Sequence, residues 1–368
     1  SQLFRPKASL PTASCVGRQP AHTGLKLGGL EAGSMKRKAP EAVAPELCPR
    51  SQHEVRCIDL SSDAVVQDIE AALKQSGDLP LERLGPESFA VGPALRGRLE
   101  DALREVQHGS GAALLRLPPD WIRERGEDAC QRAFFGLCSH LGRAVTQSTD
   151  LQELCARVED ARRPEVLAAE HTKRRGYRNA KDQFLHVDSS IPASRGAGAC
   201  DVLAMLCVRP ASEGGTSKLA SAAAIYAQLQ RDPELLALLE RGFKYNASAV
   251  EYHSDWRQPP QGDTERPMVY RDANGRPCVQ YAKNMVETIT AKYVDTPDLP
   301  RVRAALAKLE EACSNPSVVQ HWDLRSGEAY LIDNYRWLHA RTSFTDDPSS
   351  PRLFFRLWLQ VEQFDATP

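Results

Sequence analysis

Residues 352–360 read RLFFRLWLQ, and no other stretch of the chain limits its folding so narrowly. On an extended backbone successive side chains face opposite sides. Arg352, Phe354, Arg356 and Trp358 therefore share one face, and Leu353, Phe355, Leu357 and Leu359 the other. The first face is aromatic apart from two guanidiniums, which are costly to bury without anionic partners. A pocket for a dicarboxylate supplies such a partner, because a guanidinium grips a carboxylate through two parallel hydrogen bonds. Four residues of strand span about 13 Å, so the two arginines are expected to hold different groups. The alternative is an edge strand whose arginines make exposed salt bridges.

Upstream, apolar spacing of three or four predicts a helix over 93–108, carried by Leu95, Leu99, Leu103 and Val106. Helices are also expected over 128–141, 221–230, 233–241 and 298–313, the last with Pro300 in its first turn. Short apolar runs at 111–117, 201–208, 321–324, 329–334 and 352–362 read as strands. Helices around many short strands imply an α+β chain with a β-barrel-like core.

Residues 1–52 are expected to be a disordered extension, rich in Gly, Pro, Ala and Ser and without an acidic residue before Glu31. Residues 53–368 are expected to form a single catalytic domain. Two readings of 1–34 stand side by side: a transit peptide that sends the protein to an organelle, or sequence ahead of a start at Met35, leaving the protein cytoplasmic. The charge is balanced, 47 basic against 48 acidic residues. That argues against a nucleic-acid partner, which needs a basic field, and against an anionic membrane surface. Ten cysteines without a C-x-x-C pair read as reduced thiols.

The chemistry begins at FLHVDSS, residues 184–190, where His186 and Asp188 point to one side of an extended chain. Alone, H-x-D is a weak signal. Near the C-terminus GEAYLIDNYRWLHARTSF, residues 327–344, delivers His339 after an apolar run. Two imidazoles and one carboxylate on one side of a metal leave positions open, the facial triad of non-haem Fe(II) oxygenases. Zinc accepts the same ligands, so the triad by itself leaves the metal undecided. Arg352, thirteen residues after His339, adds a partner for a diacid.

Taken together, H-x-D at 186–188, EGGTS at 213–217, NYRWLHART at 334–342 and R-L-x-x-R at 352–356 resemble the taurine dioxygenase (TauD/TfdA-like) family, over roughly residues 90–362. The resemblance implies a double-stranded β-helix (jelly-roll, clavaminate synthase-like) core flanked by helices, with Fe(II) on His186, Asp188 and His339. It implies 2-oxoglutarate as co-substrate, its distal carboxylate on Arg352 and a hydrogen bond from Thr216. Arg356 matches a position that approaches the co-substrate or a substrate anion. The implied reaction hydroxylates a small organic molecule, with an anionic one among the alternatives, and releases succinate and CO2. Halogenating relatives lack the carboxylate that Asp188 supplies, which favours hydroxylation.

Gln147 and Asn284 are candidates to line the substrate pocket, with ordinary structural hydrogen bonding as the competing role. The segment 189–199 is expected to lie over the site, and the basic run Lys173, Arg174, Arg175 and Arg178 is expected to be a solvated face. His140, His171, His253 and His321 lack matching metal partners. Two rivals use the same residues: a metal-dependent hydrolase, which leaves Arg352 and Thr216 without a task, and a non-catalytic barrel that binds a small molecule. Self-association as a homo-oligomer is left open.

Overall fold

In the computed structural model the described residues are 55–147, 153–160, 179–188, 200–246, 263–362 and 364. The N-terminal extension, the basic run at 173–178, His171, His253 and the segment 189–199 lie outside them.

The strands are β1 Arg56–Asp59, β2 Ala112–Arg116, β3 Arg143–Val145, β4 Cys155–Val158, β5 Val202–Arg209, β6 Glu213–Gly214, β7 Ser217–Ser221 and β8 Phe243–Asn246. They continue with β9 Asp263–Arg266, β10 Val269–Arg271, β11 Pro277–Val279, β12 Gln320–Trp322, β13 Glu328–Asp333, β14 Trp337–Arg341, β15 Phe344–Thr345 and β16 Leu353–Gln360. The helices are α1 Asp63–Ser76, α2 Pro93–His108, α3 Pro119–Ser139, α4 Ala222–Leu229, α5 Pro233–Arg241, α6 Lys283–Tyr293 and α7 Leu299–Ser314.

The major sheet has the order β1-β2-β13-β5-β16-β3, with β4 also paired to β16. The minor sheet runs β12-β7-β14, and His186 bridges the free edge of β14 at His339. Side chains from both sheets fill one interior: Leu203, Met205, Tyr330, Phe354 and Trp358 from the major sheet meet Leu219 and Trp337 from the minor. Two sheets, antiparallel apart from the parallel β1–β2 pair, closing on each other in this way form the double-stranded β-helix.

Helices cover both outer faces. Leu353, Phe355, Leu357 and Leu359 of β16 pack with Ile69, Leu95, Leu99 and Phe134 from α1, α2 and α3. Leu338 and Ala340 of β14 pack with Ile225, Leu239, Ile289 and Leu309 from α4, α5, α6 and α7. The alternation read from 352–360 is thus the division between an outer aliphatic layer and the inner site-bearing layer. The edge-strand alternative does not hold, since β16 is bonded to β5 on one side and to β3 and β4 on the other.

Helix α2 buries Leu95, Leu99 and Val106 as its spacing predicts, with Ala102 between them and Leu103 only partly buried. α3 starts earlier than expected, at Pro119, because two helical stretches are joined at Gly126, whose φ of 77° only glycine adopts readily. Arg336 ties this outer layer to the site. It donates to the carbonyls of Val106, Gln107 and Gly109 at the end of α2 and pairs with Asp333 at 2.5 Å. Carbonyls that a helix end leaves unpaired are thereby closed, and the turn that carries Asn334 between β13 and β14 is held in place.

Candidate active site

The ligand-bearing segment lies along β14. His186 and His339 exchange backbone hydrogen bonds at 3.0 and 2.9 Å, Gln183 N–H donates to Arg341 O at 2.9 Å, and Val187 N–H donates to Tyr281 O at 2.9 Å. Leu185 and Val187 enter the outer aliphatic layer. By alternation His186 and Asp188 turn the other way, towards the face of β14 that carries His339. The two imidazole centroids are 4.4 Å apart. Nε2 of His186 lies 3.6 Å from Oδ1 of Asp188, and Nε2 of His339 lies 3.6 Å from Oδ2.

The described residues contain one such group of potential metal ligands, with its donor atoms all within 4.8 Å of one another. Cis ligands on bonds of about 2.1 Å stand about 3 Å apart, so a small contraction brings the three onto one ion. Nδ1 of His186 faces Phe184 O at 2.8 Å. It must therefore carry the proton, which leaves the Nε2 lone pair for a metal. Nδ1 of His339 is buried with no hydrogen-bond partner. Burial, with His186 beside it, lowers the His339 pKa to about 3, so its ring is neutral and able to ligate.

Asp188 is fixed at both backbone and side chain. The Asn334 carboxamide accepts the Asp188 N–H at 3.0 Å, and its Nδ2 donates to Asp188 O at 2.7 Å and to Cys200 O at 3.0 Å. Oδ2 accepts from Arg356 Nη1 at 3.0 Å and from Trp358 Nε1 at 2.8 Å. Burial alone would raise the Asp188 pKa, but Arg356 and the two imidazoles outweigh it and hold the carboxyl far below its usual range. With Oδ2 engaged twice, Oδ1 is the oxygen best placed to bind a metal. Gln147 steadies the arginine: its Oε1 accepts from Arg356 Nε at 2.7 Å, while its Nε2 donates to Arg356 O and Leu154 O.

The far end of the same interior carries Arg352, only 1% exposed. Nη1 donates to Val158 O at 3.2 Å, Nε has no partner, and the guanidinium lies 3.9 Å from the Phe354 ring centroid. Burial, then the nearby Arg341 cation, pulls its pKa down to about 9. A buried cation depressed in this way is stabilised by an incoming anion, so the donor set fits a carboxylate. Gly215, at φ 73°, passes close to it; a Cβ there would lie 3.3 Å from Arg352 Nε.

The predicted residues divide into groups. His186, Asp188 and His339 come together, and Arg352 faces the same interior. Thr216 turns away, its hydroxyl donating to Asp323 at 2.5 Å on the exposed side. Its neighbour Ser217 is buried, in register with Arg341, and shares a strand face with Leu219 of the interior. Arg356 is committed to Asp188, and Gln147 is sealed beneath Arg356 at 1% exposure. Asn284 belongs to α6, but its side chain is outside the described residues.

Sequence reasoning missed Trp358, Asn334 and Arg341, which hold Asp188 and the chain around it, and did not single out the buried Ser217. Arg341 is buried and donates to Asn179 O and Lys181 O, pinning the chain that leads to His186. Trp358 shares the face of Arg356 by simple alternation, the signal that could have found it.

One class of protein uses both halves of this interior, open metal positions and a buried cation for a diacid: the iron oxygenases that consume 2-oxoglutarate. The chain belongs to the taurine catabolism dioxygenase TauD, TfdA family, whose model matches residues 78–358. FR-33289 synthase of Streptomyces rubellomurinus (strain ATCC 31215) is 28% identical over 296 residues, covering 77% of this chain and 76% of that protein. Asparagine oxygenase, solved with Fe(II), 2S,3S-3-hydroxyasparagine and succinate, superposes with a TM-score of 0.58 at 17% identity, over 83% of this chain and 93% of that one. The non-haem iron oxygenase OrfP, solved with Fe and alpha-ketoglutaric acid, gives 0.61 at 15% identity, over 84% and 95%. The protein is an Fe(II)- and 2-oxoglutarate-dependent dioxygenase.

Proposed function

We propose that this dioxygenase hydroxylates a small polar organic molecule, with Fe(II) on His186, Asp188 and His339 and the distal carboxylate of 2-oxoglutarate on Arg352 and Ser217. The observation that carries the assignment is Arg352, buried with an unpartnered Nε at the end of the interior that holds the triad. A hydrolase on the same ligands has no use for that cation. Bound Fe(II) and 2-oxoglutarate supply the oxidising power. The chain's own residues bind and orient: His186 and His339 offer neutral nitrogens, and Trp358 and Arg356 hold one oxygen of Asp188. Trp337, Tyr330 and Phe354 keep the interior apolar and exclude water.

Ser217 takes the role expected of Thr216 because it is the buried hydroxyl of the pair. The relatives point to substrates of amino-acid size: asparagine oxygenase and OrfP were solved with a hydroxylated asparagine and a hydroxylated arginine. A cytoplasmic location suits the cysteines, which are all free among the described residues, Cys57 being exposed. No described helix is long and apolar enough to cross a membrane.

The test is succinate formation across a panel of amino acids and small organic acids, with Fe(II), oxygen, ascorbate and 2-oxoglutarate present. The expected result is substrate-stimulated succinate that disappears in His186→Ala. Failure of the Fe(II)-loaded protein to bind 2-oxoglutarate, with no stimulation by any panel member, refutes the reading.

A further inference from the structure

Arg356 is the cation that the sequence offers to a substrate anion, yet its Nη1 and Nε are bound to Asp188 and Gln147. A different cation lies over the exposed outer residue of the ligand-bearing segment. Phe184, His186 and Asp188 alternate along one extended segment, and their exposure falls inward. Phe184 is 56% exposed, the side chain of His186 27% and that of Asp188 9%. The row therefore runs from solvent to the metal ligands, with Phe184 at the rim.

A phenylalanine this open is unusual in the described structure; Val294 is the other large apolar side chain left exposed. Over the Phe184 ring lies Lys283, its Nζ 3.7 Å from the centroid. The placement follows from the backbone, because the Val187–Tyr281 hydrogen bond lays 281–283 beside 184–187. Lys283 is exposed and has no carboxylate partner among the described residues. It is also the first residue of α6, whose first turn contains no acidic residue and whose N-cap, Ala282, offers no capping side chain. The positive end of that helix adds to the ammonium charge.

We propose that Lys283, braced on Phe184, is the specificity-determining residue that takes the anionic group of the substrate, so that the substrate class is a small organic acid. The inference rests on the oxygenase reading of the adjoining triad. An aromatic ring beside an ammonium provides an apolar surface for the carbon chain and a charge-assisted hydrogen bond for a carboxylate or phosphonate terminus. The anion is then held at the rim, and the chain extends inward past His186. The ring also orients the cation, since an ammonium over an aromatic face is attracted by its quadrupole.

The experiment is equilibrium binding by anaerobic calorimetry to the full chain loaded with Fe(II) and saturated with 2-oxoglutarate, which keeps the probes off Arg352. The probes are hexanoate and propylphosphonate, each paired with a neutral counterpart, hexanamide and diethyl propylphosphonate. At least one acid is expected to bind about tenfold or more tightly than its neutral partner, as a charge-assisted hydrogen bond requires. Lys283→Met should abolish that preference, Lys283→Arg should retain it, and Phe184→Ala should weaken the acid. Binding by neither acid, or an acid preference that survives Lys283→Met, overturns the proposal. Saturation with 2-oxoglutarate is checked first by its charge-transfer absorption with Fe(II). If that band is absent, the oxygenase reading itself has failed, and the two failures remain distinct.

Discussion

Asn334→Asp changes one atom type in the clamp around Asp188. One oxygen still accepts the Asp188 N–H, but the Nδ2 that donates to Asp188 O at 2.7 Å and to Cys200 O at 3.0 Å becomes an acceptor. Two buried carbonyls lose their donor at about 1–3 kcal/mol each, so the loss is about 2–6 kcal/mol. That is a large part of the roughly 5–15 kcal/mol that stabilises a typical domain. At about 2–4 °C per kcal/mol in a large domain, Tm falls by about 4–24 °C.

The metal site suffers separately, since the clamp orients the chain on either side of the ligand. Loss of such outer contacts lowers metal affinity by about 10–100-fold. Acid should partly reverse the stability loss, because a protonated carboxyl regains one donor while Asn334→Ala cannot. The assays are thermal unfolding of the metal-free protein at about pH 7 and about pH 5, where a buried carboxyl takes up its proton, and anaerobic Fe(II) titration against a chromophoric chelator. A Tm within about 2 °C of wild type together with unchanged affinity would refute the clamp.

Trp358→Phe removes one of the two donors to Asp188 Oδ2 and keeps an aromatic ring in the interior. Metal affinity should fall by about tenfold or more in the same titration, with secondary structure unchanged by circular dichroism. Arg352→Gln should weaken 2-oxoglutarate by about 30-fold or more, measured by the anaerobic charge-transfer band. In that assay Ser217→Ala should weaken binding while Thr216→Val leaves it near wild type; the opposite order would return the role to Thr216. The Glu127 carboxylate binds Arg157 and Arg209 at 2.6 Å each. Burial raises its pKa, but the two guanidiniums prevail and the net shift is downward. A depressed folded pKa means stability present above the ordinary carboxylate range and lost as pH falls through it. Denaturant titrations should therefore show wild type exceeding Glu127→Gln at neutral pH, with the gap closing below about pH 4.5.

Much of the site was legible in one dimension because strand alternation is strictly local. Residues 352–360 announced an apolar layer and a functional layer, and β16 has both. His186 and Asp188 one residue apart, and His339 after an apolar run, sufficed to name three residues whose donor atoms the fold brings within 4.8 Å of one another. The stripe in 93–108 likewise delivered α2. Alternation says which residues share a face, but it does not say which face turns inward. The resemblance offered Thr216, and alternation alone does not show that its neighbour Ser217 is the buried hydroxyl: the inward choice is made by pairing with β14 and β12, whose residues are more than a hundred positions away.

The partner of Arg356 was hidden for the same reason, since Asp188 lies 168 residues earlier. A sequence can show that a guanidinium needs an anion, and the fold alone supplies the one it gets. The chain by itself determined the ligand types, the strand faces and the presence of a buried cation for a diacid. The tertiary structure decided which oxygen of Asp188 is held by Trp358 and Arg356, and which hydroxyl of the Thr216–Ser217 pair is buried. It also set Lys283 over the exposed Phe184 ring and turned Arg356 to Asp188, because each arrangement depends on atoms brought together only when the chain folds.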